Sequence, residues 1–114
     1  MEETNQDIRE KLPFTHKIFF PFPKLTDVQE KTIPVILSKK NSLIISPTAS
    51  GKTEAVMAPI CERMVEECNG EFSSRELLLI YIVPTKALVN DIYKRLENKL
   101  ARLNITSASK TGDV

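Results

Sequence analysis

The sequence predicts an α/β fold with helical layers around a parallel sheet, because strand-like and helix-like stretches alternate along the chain. Three apolar segments have the length of short strands: residues 42–46, 77–83 and 105–109. Between them, residues 53–68 and 86–103 carry apolar side chains at helical spacing. The order strand, helix, strand, helix, strand is typical of two right-handed crossovers, and we expect a three-layer arrangement.

The elements before the first predicted strand are helical or extended. Residues 4–12 have the pattern of a short polar helix, and the prolines of residues 13–23 favour an extended connector. Thr26 is a good N-cap for the next helix. Pro34 either kinks this helix or begins a second short one.

The two later elements are predicted from an apolar run and a cap. Residues 77–83, LLLIYIV, are apolar on both faces, as a strand that is covered on both faces requires. Pro84 ends this run, and Thr85 can cap the helix that follows. No closing helix follows the last predicted strand, so we expect a piece of a longer protein. The open edge of such a sheet predicts self-association.

The composition of the chain is that of an ordinary globular protein. The sequence has 114 residues, of which 41% are hydrophobic and 27% charged, as in one globular domain. Its longest apolar run, residues 77–83, is far shorter than the roughly 20 residues of a membrane span. The polar, acidic N-terminus does not resemble a secretory signal. We therefore expect a cytoplasmic protein without a membrane partner.

Cysteine and charge patterns add little. Cys61 and Cys68 lie in one predicted helix, too far apart for a disulfide bond, and no CxxC pair indicates zinc. The net charge is only +1, although basic residues are concentrated over residues 86–110. They could face a phosphate backbone, but composition alone favours a solvated helix face.

The segment SPTASGKT, residues 46–53, is the strongest chemical signal. It matches the phosphate-loop pattern GxxxxGK[ST] except that Ser46 replaces the first glycine, and it lies between a predicted strand and a helix. Gly51 would let the backbone approach phosphates, the Lys52 ammonium would bind them, and the Thr53 hydroxyl would bind Mg²⁺. The alternative is a polar loop whose Thr53 only caps a helix. The predicted cradle residues are Pro47, Thr48, Ala49, Ser50, Gly51, Lys52 and Thr53.

Two further segments accompany this motif: residues 25–37 (LTDVQEKTIPVIL) and 83–96 (VPTKALVNDIYKRL). Together, the three segments make the chain resemble superfamily 2 DExH/DEAD-box helicases, in particular their Lhr-like branch. The resemblance covers about residues 20–114. It implies a partial RecA-like P-loop domain over residues 25–114 after an N-terminal extension over 1–24. It also implies ATP and Mg²⁺ as cofactors and a DNA or RNA backbone as partner.

The resemblance gives Gln29 a role that its sequence context leaves open. In the family, a glutamine at this point reads adenine, and Phe20 or Phe22 could stack on the base. Thr26-x-x-Gln29 is also a capping box, in which the Gln29 side chain would accept a hydrogen bond from the Thr26 N–H. Both interpretations stand at the level of sequence, with adenine recognition favoured.

The resemblance also indicates a nucleic-acid contact. Its motif Ia corresponds to Pro84, Thr85 and Lys86, which would hold the sugar–phosphate backbone of one strand. Thr111 and Gly112 are similar to a second backbone-contacting block of the family. The alternatives are an ordinary strand-to-helix turn capped by Thr85 and, at the chain end, a simple turn.

The parent activity implied by the resemblance is ATP-driven translocation or unwinding, with Lys52 as the catalytic candidate. Hydrolysis also needs a carboxylate near Mg²⁺ and positive charge from a second domain. The sequence after residue 54 contains no DExH box. We therefore expect a chain that binds ATP but is inactive alone. The alternatives are a non-enzymatic nucleotide- or nucleic-acid-binding remnant, or a fragment of a different P-loop ATPase.

Overall fold

The computed structural model describes residues 5–47, 50–69 and 77–112. The chain divides into two compact units, Met1–Glu67 and Cys68–Val114. The regular elements of the described residues are the helices α1 (Asn5–Glu10), α2 (His16–Phe19), α3 (Asp27–Leu37), α4 (Lys52–Cys68) and α5 (Lys86–Ala101). None of these helices is long and apolar enough to cross a membrane.

The N-terminal segment is built into the core of the first unit. Ile8 of α1 and Phe19 of α2 are fully buried, so both helices contribute apolar side chains to this core. The Arg9 guanidinium donates hydrogen bonds to the Phe20 carbonyl (2.7 Å) and to the Phe22 carbonyl. These bonds fix the residues after α2 against α1. The predicted boundary between residues 24 and 25 lies inside this unit and stays a prediction.

Helix α3 begins with the capping box that its sequence allows. The Thr26 hydroxyl accepts a hydrogen bond from the Gln29 N–H (3.3 Å), and Gln29 Oε1 accepts one from the Thr26 N–H (2.9 Å). These bonds satisfy donors that a helix N-terminus leaves without partners. The helix continues through Pro34 to Leu37, so the proline does not divide it. Ile33 and Ile36 are its buried apolar side chains.

Helix α4 follows the predicted apolar stripe closely. It begins at Lys52, one residue before the predicted start, and buries Met57, Cys61 and Met64 among others. Burial raises the pKa of the Cys61 thiol to about 12, with Glu62 adding to the rise. This thiol is therefore neutral at physiological pH and acts as a small apolar core group. The predicted stop at Gly70 lies outside the described residues.

The predicted parallel sheet is wrong. The described residues contain no strand, and the predicted strands 42–46, 77–83 and 105–109 have no regular structure. Leu43 is 86% exposed and Ile82 is also 86% exposed, so these side chains are not packed between layers. A strand needs a neighbouring backbone to complete its hydrogen bonds, and apolar composition alone does not provide one. The predicted open sheet edge is therefore absent from the described residues. The self-association expected from that edge stays a prediction.

The second unit is organised around α5. Thr85 is its N-cap, and the Thr85 hydroxyl accepts a hydrogen bond from the Leu88 N–H (3.2 Å). Leu96 and Leu100 are buried, as their helical spacing predicts. Leu88, predicted to face inward with them, is 43% exposed. The buried residues of this stripe therefore lie in the C-terminal half of the helix, whereas Val89 and Ile92 are half-buried.

Candidate nucleotide site

The candidate site is the loop before α4, together with the first residues of that helix. Ser46, Pro47, Ser50 and Gly51 are described, whereas the predicted cradle residues Thr48 and Ala49 lie outside the described residues. The Ser46 and Ser50 hydroxyls are 2.9 Å apart and share a hydrogen bond. The loop therefore closes on itself through side chains that flank its central residues.

Lys52 places its cation beside this loop. As the first residue of α4, it lies where helix backbone N–H groups have no partners within the helix. The Lys52 ammonium donates a hydrogen bond to the Ser46 carbonyl (2.8 Å). A cation held by a neutral carbonyl can exchange that partner for an anionic oxygen, which binds it more strongly. The arrangement thus provides a positive charge and backbone donors within one turn of helix.

Gly51 has a backbone conformation that other residues adopt at a cost. Its φ angle is +83°, in the left-handed region. A Cβ atom built on Gly51 would overlap Gln29 Nε2 and lie 3.2 Å from Gln29 Cδ. The Gly51 carbonyl also accepts the first α4 hydrogen bond, from the Ala55 N–H (3.0 Å). Both conformation and space therefore require glycine here.

The first turn of α3 contacts the same loop. The Thr26 hydroxyl donates a hydrogen bond to the Ser50 carbonyl (2.7 Å), and Gln29 Nε2 donates one to the Gly51 carbonyl (3.3 Å). Gln29 is only 6% exposed. The capping-box interpretation of Gln29 is confirmed, whereas adenine recognition stays a prediction. No pattern in the sequence predicted that Thr26 and Gln29 would also donate hydrogen bonds to the loop.

The remaining predicted nucleotide contacts differ in accessibility. Thr53 lies one residue inside α4, so it does not occupy the N-cap position of the alternative interpretation. Its hydroxyl as a Mg²⁺ ligand stays a prediction. Of the two aromatic residues proposed to stack on the base, Phe20 is 2% exposed and Phe22 is 61% exposed. Only Phe22 offers its ring to a ligand without a rearrangement.

The predicted nucleic-acid residues belong to the second unit. Pro84, Thr85 and Lys86 are exposed at the N-terminus of α5. The predicted cap by Thr85 is confirmed. A contact of these residues with a nucleic-acid strand stays a prediction. Thr111 is half-buried and Gly112 is exposed.

The sequence analysis did not single out Glu62. Glu62 is fully buried, and its Oε1 accepts hydrogen bonds from the Phe14 N–H (3.0 Å), the Thr15 N–H (3.1 Å) and the Thr15 hydroxyl (3.1 Å). Desolvation by burial raises the pKa of the Glu62 carboxyl, although these three bonds oppose the rise. One signal was available. Glu62 follows Ala58 by four residues and precedes Val65 by three, which places it within the buried face of α4.

Comparisons with known proteins add evidence independent of this geometry. A family model described as "DEAD/DEAH box helicase" matches residues 26–114. The chain is 27% identical to the U5 small nuclear ribonucleoprotein 200 kDa helicase of Drosophila melanogaster, over 97% of this chain. It is 35% identical to the ATP-dependent RNA helicase dbp9 of Schizosaccharomyces pombe, over 70% of this chain. It is 32% identical to the RQC trigger complex helicase SLH1 of Saccharomyces cerevisiae, over 86% of this chain.

These relatives are much longer proteins. The matched region spans 6% of the Drosophila protein, 13% of dbp9 and 5% of SLH1. No solved structure matches the chain. The comparisons therefore concern a small part of each relative.

Proposed function

The chain belongs to the DEAD/DEAH box helicase family, and on that premise we propose that it is the nucleotide-binding portion of an ATP-dependent helicase, with Lys52 and the Gly51 loop holding the phosphates of Mg·ATP. The predicted membership of superfamily 2 is thereby confirmed, whereas the Lhr-like branch stays a prediction. The observation that carries the proposal is the position of the Lys52 ammonium, 2.8 Å from a loop carbonyl at the start of α4.

The residues present fit a polyphosphate with a bound cation. Lys52 supplies a positive charge, and the first turn of α4 supplies backbone donors and the positive end of the helix dipole. Gly51 keeps side-chain atoms away from the backbone that would face the phosphates. The Thr53 hydroxyl lies in the same turn and would ligate Mg²⁺. Bound ATP would supply the free energy that a complete helicase couples to movement along a strand.

We further propose that the second unit contacts a single strand of RNA through its sugar–phosphate backbone. Pro84, Thr85 and Lys86 supply an exposed helix N-terminus with a hydroxyl and a cation, a combination suited to phosphate. RNA is favoured over DNA because dbp9 is named an RNA helicase. Thr111 and Gly112 would add a weaker backbone contact.

Titration calorimetry with Mg·ATP tests the nucleotide site. We expect the 114-residue chain to bind Mg·ATP, and Lys52→Ala to weaken binding at least about tenfold, because a charge-assisted hydrogen bond to phosphate is lost. Lys40→Ala removes an exposed lysine outside the loop and should leave the affinity unchanged. Equal affinities for the wild type and Lys52→Ala would contradict the assignment. We expect no turnover, since the sequence lacks a DExH carboxylate.

A second candidate, a fragment of a different P-loop ATPase, is distinguished by its behaviour with nucleic acid. Fluorescence anisotropy with labelled single-stranded RNA and DNA should show binding that falls as salt rises. We expect Lys86→Ala to weaken binding about twofold to fivefold, as one phosphate contact is lost. Lys31→Ala, on the first unit, is the matched control. Binding of ATP without binding of either strand would favour the different ATPase.

A further inference from the structure

The two carboxyl oxygens of the buried Glu62 side chain have unequal surroundings. Oε1 accepts hydrogen bonds from the Phe14 N–H (3.0 Å), the Thr15 N–H (3.1 Å) and the Thr15 hydroxyl (3.1 Å). Oε2 is buried and has no hydrogen-bond partner among the described residues. One oxygen therefore meets several donors, whereas the other is removed from solvent and meets none within the described part of the chain.

This arrangement makes the ionised form of Glu62 costly. In a carboxylate both oxygens share the negative charge, so burial without a donor penalises the share on Oε2. A carboxyl group that carries its proton on Oε2 keeps Oε1 as an acceptor and has no net charge to bury. The geometry therefore favours the neutral form. Desolvation by burial acts in the same direction, since it raises the pKa of Glu62.

The titratable groups around Glu62 do not offset this cost. On α4, the like charge of Glu66 raises the pKa of Glu62 further, and the Cys61 thiol is neutral at physiological pH. The segment packed on Glu62 contributes backbone and hydroxyl donors, and its adjacent titratable side chain is His16. Burial, followed by the charge of Lys17, lowers the pKa of His16. At neutral pH this imidazole therefore supplies little positive charge to Glu62.

The donors to Glu62 belong to the segment that leads into α2. This helix has only four residues, and the side chain of its N-cap residue, Thr15, makes no capping hydrogen bond within the helix. A helix of this length is not stable by itself in water. Its position therefore depends on tertiary contacts, namely the hydrogen bonds to Glu62 and the burial of Phe19.

We propose that the docking of residues 13–20 on α4 is coupled to a proton on Glu62, so that the segment is held firmly while the carboxyl group is neutral and loosens as this group ionises. We call the hydrogen bonds of Glu62 with Phe14 and Thr15 the Glu62 anchor. The coupling is independent of the proposed nucleotide site. It makes the N-terminal segment a pH-sensitive part of the first unit.

The direction of the pH dependence follows from the raised pKa. The pKa of Glu62 in the folded chain lies above that of an unfolded glutamate, which is about 4.3. Stabilisation by the Glu62 anchor is therefore complete below the unfolded value, and it is lost as the pH rises through the folded value. One proton is released, so the equilibrium between docked and loosened segment changes by at most about tenfold for each pH unit.

Amide hydrogen exchange of the 114-residue chain between about pH 5 and about pH 8 tests this coupling. Exchange rates of the Phe14 and Thr15 amides are divided by the intrinsic rates at each pH, which leaves the protection factors. We expect these factors to fall about threefold to tenfold across the range in the wild type and to stay constant in Glu62→Gln, which has no proton to lose. The Leu100 amide of α5 provides an internal reference. An equal fall in Glu62→Gln would overturn the proposal.

Two control variants separate Glu62 from its titratable neighbours. Glu66→Gln removes an exposed like charge one turn away, and His16→Gln removes the imidazole beside Thr15. The pH dependence should persist in both variants, and in Glu66→Gln it should shift to lower pH because the repulsion is lost. Disappearance of the pH dependence in His16→Gln would assign the effect to the imidazole and would contradict the coupling to Glu62.

A carbon-13 titration of the Glu62 side-chain carboxyl group measures its protonation directly, and it decides the question if Glu62→Gln fails to fold. We expect a midpoint above the value of about 4.3 for an unperturbed glutamate, and the Thr15 amide shift should change with the same midpoint. A midpoint at or below that value would refute the proposal, because Glu62 would then be ionised throughout the range in which the segment is docked.

Discussion

Replacing Glu62 by alanine is expected to lower the free energy of unfolding of the first unit by about 2–4 kcal/mol. The substitution removes the acceptor for three hydrogen bonds, from the Phe14 N–H, the Thr15 N–H and the Thr15 hydroxyl. Glu62 and Thr15 are both fully buried, so water cannot readily replace the lost acceptor. The shortened side chain also leaves a cavity beneath the residues that precede α2.

Urea denaturation followed by far-UV circular dichroism measures this effect. Glu66→Ala, one turn along α4 and exposed, removes a carboxylate of the same charge and should change stability by less than about 0.5 kcal/mol. Glu62→Gln keeps an acceptor at Oε1 but replaces Oε2, which has no hydrogen-bond partner among the described residues, with an amide donor. The loss of unfolding free energy in Glu62→Gln should therefore be smaller than in Glu62→Ala and larger than in Glu66→Ala. Similar stabilities for Glu62→Ala and Glu66→Ala would show that the buried bonds do not anchor the N-terminal segment.

Glu62 also illustrates what sequence patterns could not predict in this fold. Its hydrogen-bond partners Phe14 and Thr15 are 48 and 47 residues away along the chain. The spacing of Glu62 from Ala58 and Val65 is compatible with a place on the buried face, but periodicity carries no information about which distant donors contact it. The same limit applies to the predicted strands, because pairing between segments such as 42–46 and 77–83 depends on distant backbone.

Features set by neighbours within one or two turns were predictable. The N-caps Thr26 and Thr85 are recognisable from residue type and from the apolar periodicity that follows them, and both caps are observed. The extents of α4 and α5 follow from the same periodicity. Local chemistry therefore predicted α3, α4 and α5 closely. It did not predict α2 (His16–Phe19), which lies within the residues 13–23 that were expected to be extended. The arrangement of the apolar segments between the helices also required the structure.

The candidate site was predictable in part, because some of its features depend on local sequence and others on distant residues. The phosphate-loop pattern identified Gly51 and Lys52, because the pattern itself is local. It did not predict that Gln29, 22 residues before Gly51, would donate to the Gly51 carbonyl. The sequence indicated two roles for Gln29, as part of a helix cap and as a contact to a base. No pattern near Gln29 in the sequence indicated its third role, the hydrogen bond to the loop. Motif spacing thus names the residues of this site but not the bonds that hold them.

Replacing Gly51 by alanine is expected to lower the free energy of unfolding by about 2–4 kcal/mol and to abolish detectable Mg·ATP binding. A left-handed φ of +83° costs an L-residue about 1–2 kcal/mol. The added methyl group would also overlap Gln29 Nε2, and the buried carboxamide has little room to withdraw. The loop would have to abandon the backbone path that brings Lys52 beside Ser46.

The double variant Gly51→Ala/Gln29→Ala separates these two causes, because the second substitution removes the carboxamide that the methyl group meets. Removing the Gln29 carboxamide should abolish the steric overlap with the alanine methyl group. The double variant should therefore lose about 1–2 kcal/mol less unfolding free energy than the sum of the losses in the two single variants. The backbone part should remain, since alanine at position 51 still has to adopt the left-handed conformation. Thermal and urea denaturation of the four proteins in this cycle provide the measurement. Strict additivity would mean that the Gln29 carboxamide does not contact Gly51 closely in solution, contrary to the hydrogen bond from Gln29 Nε2 to the Gly51 carbonyl.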